Sequence, residues 1–243
     1  MRLKGKTAVV TGGGTGIGAG CALGLAQEGC RVVISGRRAD KLAEAASQWT
    51  GDPAILTHVS DVGDRDSANE LIRFAEKQLG RIDILINCAG INTPKRLMHD
   101  ISPEDWDTVL RVNATGAFNC IKAALPAMRD RQDGLIINIA STSGMRASML
   151  GGVAYSASKF AMAALGTCVA LEEKDHGIRV TNIYPGEVET PILDKRPVPV
   201  SAEHRARILQ PSDVADMVVA IALLPPRAHV ADMIIKPTTQ PHS

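Results

Sequence analysis

Short runs of apolar residues alternate along this chain with longer segments in which apolar positions recur every three or four residues. The short runs predict buried β-strands and the longer segments predict α-helices. The predicted strands are Ala8–Thr11, Arg31–Ser35, Ala54–Val59, Ile82–Asn87, Leu135–Ile139, Ile178–Tyr184 and Asp232–Lys236. The predicted helices are Gly16–Glu28, Asp40–Trp49, Asp66–Leu79, Pro103–Met128, Val153–Lys174 and one that begins near Ser212. Strands too apolar to have a solvated face, joined by helices, predict an α/β fold with a doubly wound parallel sheet of about seven strands and helices on both faces.

Composition places the chain among ordinary globular proteins. The 243 residues are 45% apolar and 22% charged, and an α/β chain of this length is usually one domain, so we predict a single domain over residues 1–243. The 27 Lys and Arg residues against 26 Asp and Glu leave a formal net charge of +1. This balance gives no electrostatic footprint for nucleic acid or for a membrane, so neither is predicted as a partner.

The N-terminus and the cysteines predict a cytoplasmic protein. Residues Met1–Lys6 lead straight into an apolar strand without the apolar region of a signal peptide, and no later segment is expected to approach membrane-spanning length. The five cysteines are widely spaced, with no Cys-x-x-Cys pair and no histidine cluster beside them. The sequence therefore predicts reduced thiols and no metal site.

Tyr155 and Lys159 are the pair with the clearest chemical use. Residues four apart lie on the same face of a helix, so the phenol and the ammonium would point into the same space. A positive charge within a few ångströms favours the phenolate and lowers a tyrosine pKa from about 10. Tyr155 is thus a candidate general acid or base. A core tyrosine beside a solvated lysine has the same spacing, so this pair alone does not decide between the two interpretations.

A glycine-rich turn, TGGGTGIG from Thr11 to Gly18, follows the first predicted strand. Bare backbone lets a pyrophosphate approach, and the N-terminus of the following helix favours its negative charge. Such turns also join strands to helices for conformational reasons alone, but the place after the first strand of a βαβ unit favours dinucleotide binding. We predict cofactor contacts at Gly12, Gly14, Thr15, Gly16, Ile17 and Gly18.

Six motifs occur in register with the predicted elements, from Lys4 to about Thr190. They are the glycine turn, Asn87-Cys88-Ala89-Gly90, Asn113, Ser141, Tyr155-x-x-x-Lys159 and Pro185-Gly186. Together they resemble the short-chain dehydrogenase/reductase family. The resemblance implies one Rossmann-like domain with a nucleotide-binding half at about residues 1–90 and a catalytic half at about 91–243. It also implies a nicotinamide cofactor, reversible hydride transfer between a small-molecule alcohol and a carbonyl, and a homotetramer or homodimer.

The resemblance assigns roles to individual residues. Tyr155 is the acid/base, and Lys159 lowers its pKa and holds the nicotinamide ribose. Ser141 orients the substrate oxygen, while Asn113 holds a water that links Lys159 to solvent. Ser143 is a rival to Ser141, which stands fourteen residues before Tyr155, one more than the commonest family spacing. We prefer Ser141 because it directly follows an apolar strand, although a hydroxyl that caps a loop explains either serine.

Further cofactor contacts are implied along the ends of the strands. Asp61 and Val62 resemble the pair that contacts adenine, and Thr190 is the expected hydrogen-bonding partner of the nicotinamide carboxamide. Cys88 stands where the family usually repeats asparagine, near the adenosine side. The remaining implied contacts are Asn87, Ala89, Gly90, Pro185, Gly186 and Val188.

The end of the second strand bears on the choice of cofactor. Members that bind NAD carry an acidic side chain there for the ribose 2′-hydroxyl, and a carboxylate would repel a 2′-phosphate. This chain instead has Arg37 and Arg38, two guanidiniums able to bind phosphate. NADP is therefore predicted over NAD. Thr15 weakens the prediction because many NADP-dependent relatives have a basic residue there, and a solvated arginine pair is the alternative.

The resemblance implies a mobile substrate lid at about residues 187–211, within which Pro191 to Gln210 is proline-rich and charged. The basic residues Arg196, His204, Arg205 and Arg207, with Arg146 after the catalytic serine, hint at an anionic substrate, although solvated charges or a subunit contact explain them equally. The tail from Leu224 lacks the family's glycine-rich terminal strand and resembles the branch with serine 3-dehydrogenase and 3-hydroxy-acid enzymes. That departure puts the usual C-terminal tetramer contacts in doubt.

Two alternatives to an NADP-dependent oxidoreductase are carried forward. One is a catalytically silent dinucleotide-sensing protein, although such sensors typically lose the active-site tyrosine or lysine and this chain keeps both. The other is an NAD-preferring dehydrogenase of the 3-hydroxy-acid or serine type.

Overall fold

A single parallel sheet organises the protein. The computed structural model describes residues 1–240. Its strands are β1 Thr7–Thr11, β2 Arg31–Gly36, β3 Leu56–Val59, β4 Ile84–Asn87, β5 Gly134–Ile139, β6 Ile178–Pro185 and β7 Asp232–Ile235. All neighbouring strands are parallel, in the order β3-β2-β1-β4-β5-β6-β7. The predicted doubly wound sheet of seven strands is confirmed.

Helices cover both faces of the sheet. They are α1 Gly16–Gln27, α2 Ala39–Ser47, α3 Arg65–Leu79, α4 Pro103–Leu110, α5 Gly116–Arg131, α6 Val153–Glu173, α7 Ala202–Arg207 and α8 Pro211–Ala222. Side chains alternate along each strand, so β1 sends Val10 into an apolar cluster with α1 and α8, and Val9 into another with α3 and α5. These two clusters are the core of the molecule.

The strand order fixes where a ligand can bind. From β1 the chain winds outward through β2 to β3, and then returns to place β4 on the other side of β1. The carboxyl ends of the central strands are level, since Thr11 is in register with both Ser35 and Asn87. In an open parallel sheet, a crevice forms beyond the carboxyl ends at such a reversal of strand order.

The edge strands correct the expectation that no strand has a solvated face. β3 and β7 alternate partly buried and exposed residues, and Val59 and Ile234 are 55% and 52% exposed. The physical reason is their position, because an edge strand has a neighbour on one side only. β3 also begins at Leu56 rather than Ala54, β4 at Ile84 rather than Ile82, and β7 ends one residue early.

The segment predicted as one helix from Pro103 to Met128 is helical throughout, but it is not uniformly α-helical. It consists of α4, a π-helical turn over Arg111–Thr115 and α5, which ends at Arg131. Ser102 accepts a capping hydrogen bond from the amide of Asp105, as the helix-start pattern predicts. The π turn contains Asn113, whose side chain is fully buried and bonded to other parts of the chain. An extra residue inserted in a helical turn is a frequent mark of a functional site.

The prediction that no segment approaches membrane-spanning length is also wrong on length and composition alone. Within the described chain, the 24 residues Val153–His176, which contain α6, are long and apolar enough to cross a bilayer. This helix packs against β6 and the π turn, and 44% of its apolar window is buried within the protein. Length and composition alone are therefore weak evidence of a membrane span.

A ladder of three buried asparagines crosses the sheet. Asn87 Nδ2 donates to Asn138 Oδ1 at 3.0 Å, and Asn138 Nδ2 donates to Asn182 Oδ1 at 3.0 Å. The three residues are in register on β4, β5 and β6. Gly166 of α6 lies over the ladder, and a Cβ there would come within 2.1 Å of Asn182 Oδ1. The ladder thus couples the strand that carries Asn87 to the helix that carries Tyr155.

Replacing Asn138 by alanine is expected to lower the free energy of unfolding by about 2 kcal/mol, because a buried donor and a buried acceptor both lose their partner. Urea denaturation of wild type and variant measures the change. Gln78→Ala, on the exposed face of α3, is the control and should change stability by less than about 0.5 kcal/mol. A neutral effect of Asn138→Ala would mean that the ladder contributes no stability.

Candidate functional site

The glycine turn between β1 and α1 is a bare-backbone surface. Gly12 and Gly16 have positive φ values of 67° and 55°. A Cβ at Gly12 would lie 2.8 Å from the Cα of Ala89, and one at Gly18 would lie 2.3 Å from the carbonyl oxygen of Gly12. Thr15 precedes α1 without a side-chain capping bond. The first amides of α1 therefore stay free of a side-chain cap, and such a helix start suits an anionic group.

The loop after β4 is fixed against this turn. Thr11 Oγ1 accepts hydrogen bonds from the amides of Cys88 and Ala89 at 3.1 and 3.2 Å. Oδ1 of Asn87 is buried and has no hydrogen-bond partner among residues 1–240. An unpaired buried acceptor is costly in a closed protein and is expected where a bound molecule supplies the donor. The turn and the orphaned amide oxygen together fit a dinucleotide.

Arg37 and Arg38 extend beyond the end of β2 and are exposed. Neither side chain makes a hydrogen bond or ion pair with the part of the chain that the structure describes. The nearby Asp61 is engaged elsewhere, since Arg111 Nη1 lies 3.0 Å from its Oδ2. Burial alone would raise the pKa of Asp61, but the Arg111 hydrogen bond holds it below its usual range. The two guanidiniums are therefore available to a phosphate.

Val62 is buried and Asp61 is partly exposed in the turn after β3. Val62 is 6% exposed, its carbonyl accepts from Asn119 Nδ2 at 2.9 Å, and a Cβ at Gly116 would meet its side chain at 2.6 Å. The structure thus places the predicted adenine-side pair next to Arg37, on the same side of the sheet reversal as the glycine turn.

Tyr155 and Ser141 line one cleft beyond the carboxyl ends of β5 and β6. The cleft has a volume of about 320 Å³. Burial raises the pKa of Tyr155, and a hydrogen-bonding interaction with the Ser141 side chain and the charge of Arg96 oppose the rise. The net direction is opposite to the lowering predicted from the Tyr155–Lys159 spacing. The physical reason is that the phenolate would lie in a low-dielectric interior.

Lys159 is buried and lies beside the ring of Tyr155. Nζ is 5.7 Å from the centre of the Tyr155 ring and donates to the carbonyl of Ile139 at 2.7 Å. A Cβ at Gly90 would be 3.5 Å from this Nζ and 3.6 Å from Asn113 Oδ1. The lysine, the π turn and the loop after β4 therefore meet at one point. Burial lowers the pKa of Lys159 to about 8.

The low pKa of Lys159 has a consequence for stability. A lysine whose pKa is about 8 when folded and 10.5 when unfolded binds more protons in the unfolded state between these values, so its contribution to stability rises with pH across this window. The free energy of unfolding of wild type, relative to Lys159→Met, is expected to increase by about 3 kcal/mol from pH 8 to pH 10.5. Guanidinium denaturation at both pH values measures it, and a constant difference would mean that Lys159 titrates normally.

Asn113 is engaged through most of its amide. Its Nδ2 donates to the carbonyl of Ile91 at 3.0 Å and to Ser158 Oγ at 2.9 Å, and its Oδ1 accepts from the amide of Ile91 at 2.8 Å. One lone pair of Oδ1 remains for a water molecule. That lone pair is the acceptor available to the water molecule predicted for Asn113, and the water-holding role stays a prediction.

The two candidate serines lie side by side in the cleft. Ser141 Oγ accepts from the amide of Ser143 at 3.1 Å, while Ser143 Oγ lies 3.4 Å from Ser148 Oγ. The serine hydroxyl that interacts with Tyr155 is that of Ser141. This arrangement supports Ser141 as the residue that orients the substrate oxygen.

The segment after β6 closes the other wall of the cleft. Pro185, Gly186, Val188 and Thr190 all line it, together with Ile17 of α1. A Cβ at Gly16 would lie 2.9 Å from Thr190 Cγ2, so this segment reaches the glycine turn. The structure thus brings the residues predicted for the nicotinamide end into the same cleft as Ser141 and Tyr155.

The predicted lid region contains regular structure. Residues 191–195 form a 3₁₀ helix and α7 follows. His204 Nε2 lies 2.6 Å from Glu187 Oε2, and Arg205 Nη1 lies 2.7 Å from Glu189 Oε1. These contacts link α7 to the segment after β6. Sequence patterns missed α7 because its six residues have no apolar periodicity.

The cleft is also lined by residues that the sequence does not single out as site residues, among them Arg96 and Gln240. A Cβ at Gly186 would lie 2.2 Å from Gln240 Oε1, so the C-terminal tail folds back over the end of β6. Arg96 belongs to the loop after β4 and is 5% exposed. Neither residue stands in a motif, and only the tertiary structure brings them to Tyr155.

Comparison with known proteins gives consistent matches. The sequence model described as short chain dehydrogenase matches residues 6–198. An uncharacterized oxidoreductase of Staphylococcus aureus (strain MRSA252) is 35% identical over 235 residues, which cover 97% of this chain and 98% of that protein. The closed form of serine dehydrogenase complexed with NADP+ has a TM-score of 0.88 at 29% identity, covering 98% of this chain and 97% of that one. A 3-ketoacyl-(acyl-carrier-protein) reductase from Brucella melitensis complexed with NADH has a TM-score of 0.87 at 27% identity, covering 97% of this chain and 98% of that one.

Proposed function

Because the chain belongs to the short-chain dehydrogenase family and is an oxidoreductase with a nicotinamide dinucleotide site, we propose that it interconverts an alcohol and a carbonyl with NADP as the preferred cofactor. The observation that carries the proposal is the cleft in which Ser141 and Tyr155 lie against the segment from Pro185 to Thr190. A substrate oxygen and the reactive end of a dinucleotide have room to meet there.

The residues that would hold the cofactor are those that already fit a dinucleotide. The glycine turn and the start of α1 would take the pyrophosphate, Arg37 and Arg38 the 2′-phosphate, and Thr190 the carboxamide. When bound, the nicotinamide supplies or accepts the hydride. Preference for NADP is favoured by the two unpaired guanidiniums and by the absence of a carboxylate at the turn after β2.

The side chains of the cleft would handle the proton. In reduction Tyr155 donates its hydroxyl proton to the carbonyl oxygen, and in oxidation it accepts the alcohol proton. Ser141 donates a hydrogen bond to the same oxygen and holds it near the phenol. A tyrosine with a raised pKa keeps its proton at neutral pH, so the resting protein is set up as the acid for carbonyl reduction. Lys159 holds positive charge at the junction with Gly90.

An assay with paired substrates tests the proposal. Hydroxy acids and sugar alcohols are offered with NADP+ or NAD+, the matching carbonyls with NADPH or NADH, and the absorbance of the reduced nicotinamide is followed. Cofactor-dependent turnover of at least one pair, with NADP(H) above NAD(H), is the expected result. Binding of NADPH without turnover of any pair would favour the dinucleotide-sensing alternative.

Serine-type and 3-hydroxy-acid substrates form a second candidate class. The likeness to serine dehydrogenase, at 29% identity over nearly the whole chain, favours them. Serine and short 3-hydroxy acids therefore belong in the substrate panel with both cofactors. A preference for NAD+ with these substrates would replace the NADP-dependent assignment by the NAD-preferring one.

We also propose a cytoplasmic homo-oligomer, either a dimer or a tetramer. All five cysteines are free thiols, which suits a reducing compartment. Large apolar side chains remain exposed on α4, α5 and α6, among them Trp106, Phe118 and Phe160. Surfaces of this kind favour protein contacts. Light scattering of the purified protein gives the mass of the particle and tests the assembly.

A further inference from the structure

Arg96 is a buried cation without a carboxylate partner. Its side chain belongs to a residue that is 5% exposed, and no carboxylate of residues 1–240 lies within ion-pair distance of it. An arginine keeps its charge in proteins, so burying it costs free energy unless an anion or several hydrogen bonds compensate. Three backbone carbonyls provide part of the compensation.

The carbonyls come from three separate segments around the cleft. Nε donates to Thr93 at 2.9 Å, Nη1 donates to Leu150 at 2.8 Å, and Nη2 donates to Lys195 of the lid region. A guanidinium has five N–H donors, so one N–H on Nη1 and one on Nη2 remain. Two donors on the terminal nitrogens match the two oxygens of a carboxylate.

The charges around Arg96 also favour an anionic ligand. Arg196 is close enough to act on Arg96, and both line the cleft with Arg146. Glu187 is the acidic residue of the cleft lining, and it is committed to Arg196 at 3.2 Å and His204 at 2.6 Å. The cleft therefore holds excess positive charge next to Tyr155.

A second cavity also borders Arg96. This cavity, of about 590 Å³, shares Arg96, Leu150 and Arg196 with the cleft, and its other walls are mostly apolar, with Leu97, Val198 and neighbouring prolines. Arg96 thus lies at the junction of two open spaces. Apolar walls lower the local dielectric constant and strengthen an ionic contact made there.

We propose that the substrate of the cleft carries a carboxylate and that Arg96 binds it with its two remaining N–H donors, so that the substrate is a hydroxy acid or an oxo acid. This inference rests on the proposed alcohol/carbonyl activity and adds the residue that selects the anionic group. Arg96 would hold the carboxylate while Ser141 and Tyr155 hold the reacting oxygen. Since its backbone carbonyl accepts from the amide of Val153 at the start of α6, Arg96 is also fixed relative to Tyr155.

The first test compares an acid with a neutral analogue of the same chain. For the acid that gives the highest turnover in the panel, kcat/KM is measured beside its primary amide. Wild type should prefer the acid by about ten- to a hundredfold, the value of one charge-assisted hydrogen-bonded contact. Turnover of neutral alcohols with no preference for the acid would overturn the carboxylate assignment and leave the proposed activity intact. A phosphomonoester analogue preferred over the acid would overturn it as well.

The second test uses variants. Arg96→Gln should reduce the ratio of kcat/KM for the acid to that for the amide by about tenfold or more. Arg96→Lys keeps the positive charge but lacks the paired terminal nitrogens of the guanidinium, so it should give an intermediate ratio. A purely structural role predicts equal losses for acid and amide. Arg131→Gln is the matched control, since Arg131 also donates to two backbone carbonyls, of Ala127 and Ile82, but lies outside the cleft. Its ratio should equal that of wild type.

A binding experiment separates this inference from the proposed activity. Butanoate and butanamide are added to wild type, Arg96→Lys and Arg131→Gln, and the shift in melting temperature is recorded. Butanoate, but not butanamide, should raise the melting temperature of wild type and of Arg131→Gln. The increase with butanoate should be smaller for Arg96→Lys. This result in a protein that turns over no substrate would keep the anion site and discard the oxidoreductase activity. Equal shifts for butanoate and butanamide would discard the anion site, even if Arg96→Gln proves unable to fold.

Discussion

Replacing Tyr155 by phenylalanine is expected to lower kcat by roughly 10²- to 10⁴-fold while the affinity for NADPH stays within a few-fold of wild type. The ring still fills its place on α6, but the transferable proton is gone. Stopped-flow or steady-state assays give kcat, and fluorescence titration with NADPH gives the dissociation constant. The split between turnover and affinity distinguishes a proton donor from a residue that only packs.

Tyr184→Phe is the matched control because Tyr184, on β6, is the other tyrosine of the chain. Its hydroxyl donates to Asp232 Oδ1 at 2.8 Å, away from the cleft lining. Its loss should cost stability, about 1 kcal/mol, without a large change in kcat. If Tyr155→Phe retained turnover near that of wild type, another group would have to transfer the proton.

The second large effect is expected at the end of β2. Arg37→Ala should weaken NADPH binding by roughly ten- to a hundredfold, because a charge-assisted contact to phosphate contributes about 1.5 to 3 kcal/mol. NADH lacks the 2′-phosphate and should hardly be affected. The exposed Arg73 on α3 offers a control, and Arg73→Ala should leave both affinities unchanged.

Adding a carboxylate should invert the preference. In Gly36→Asp with Arg37→Ala, one attraction is removed and a repulsion is added, so the ratio of kcat/KM for NADPH to that for NADH should fall further than in Arg37→Ala alone. A Cβ at Gly36 would meet only Leu42 Cδ2, at 3.8 Å, so the new side chain has space. Equal losses with both cofactors in Arg37→Ala, or a wild-type preference for NADH, would show that the arginines are surface charges.

The order of elements could be predicted because it depends on local patterns. Apolar runs such as Leu135–Ile139 are buried on both faces of a parallel sheet, and a helical repeat such as that of Asp66–Leu79 has one apolar face. The same local character explains the failures. The residues of a strand such as β3 do not indicate whether it has a neighbouring strand on one side or on both.

The site divides in the same way. The glycine turn is readable because positive φ values and the close approach of Ala89 to Gly12 require glycine at fixed spacing. Tyr155 and Lys159 are readable as a helical pair. The direction of the Tyr155 pKa shift could not be predicted from the sequence. It depends on burial and on Ser141 and Arg96, which approach from other segments.

By itself, the sequence determined the α/β alternation, the place of the glycine turn and the pairing of Tyr155 with Lys159 on one helix, because each follows from spacing within one or two neighbouring elements. Only the tertiary structure decided which side chains surround them. The asparagine ladder, the π turn at Asn113 and the carbonyl contacts of Arg96 join segments far apart in the chain. Such contacts form when the sheet is assembled and buried polar groups must find partners, and no short-range pattern records which partner they find.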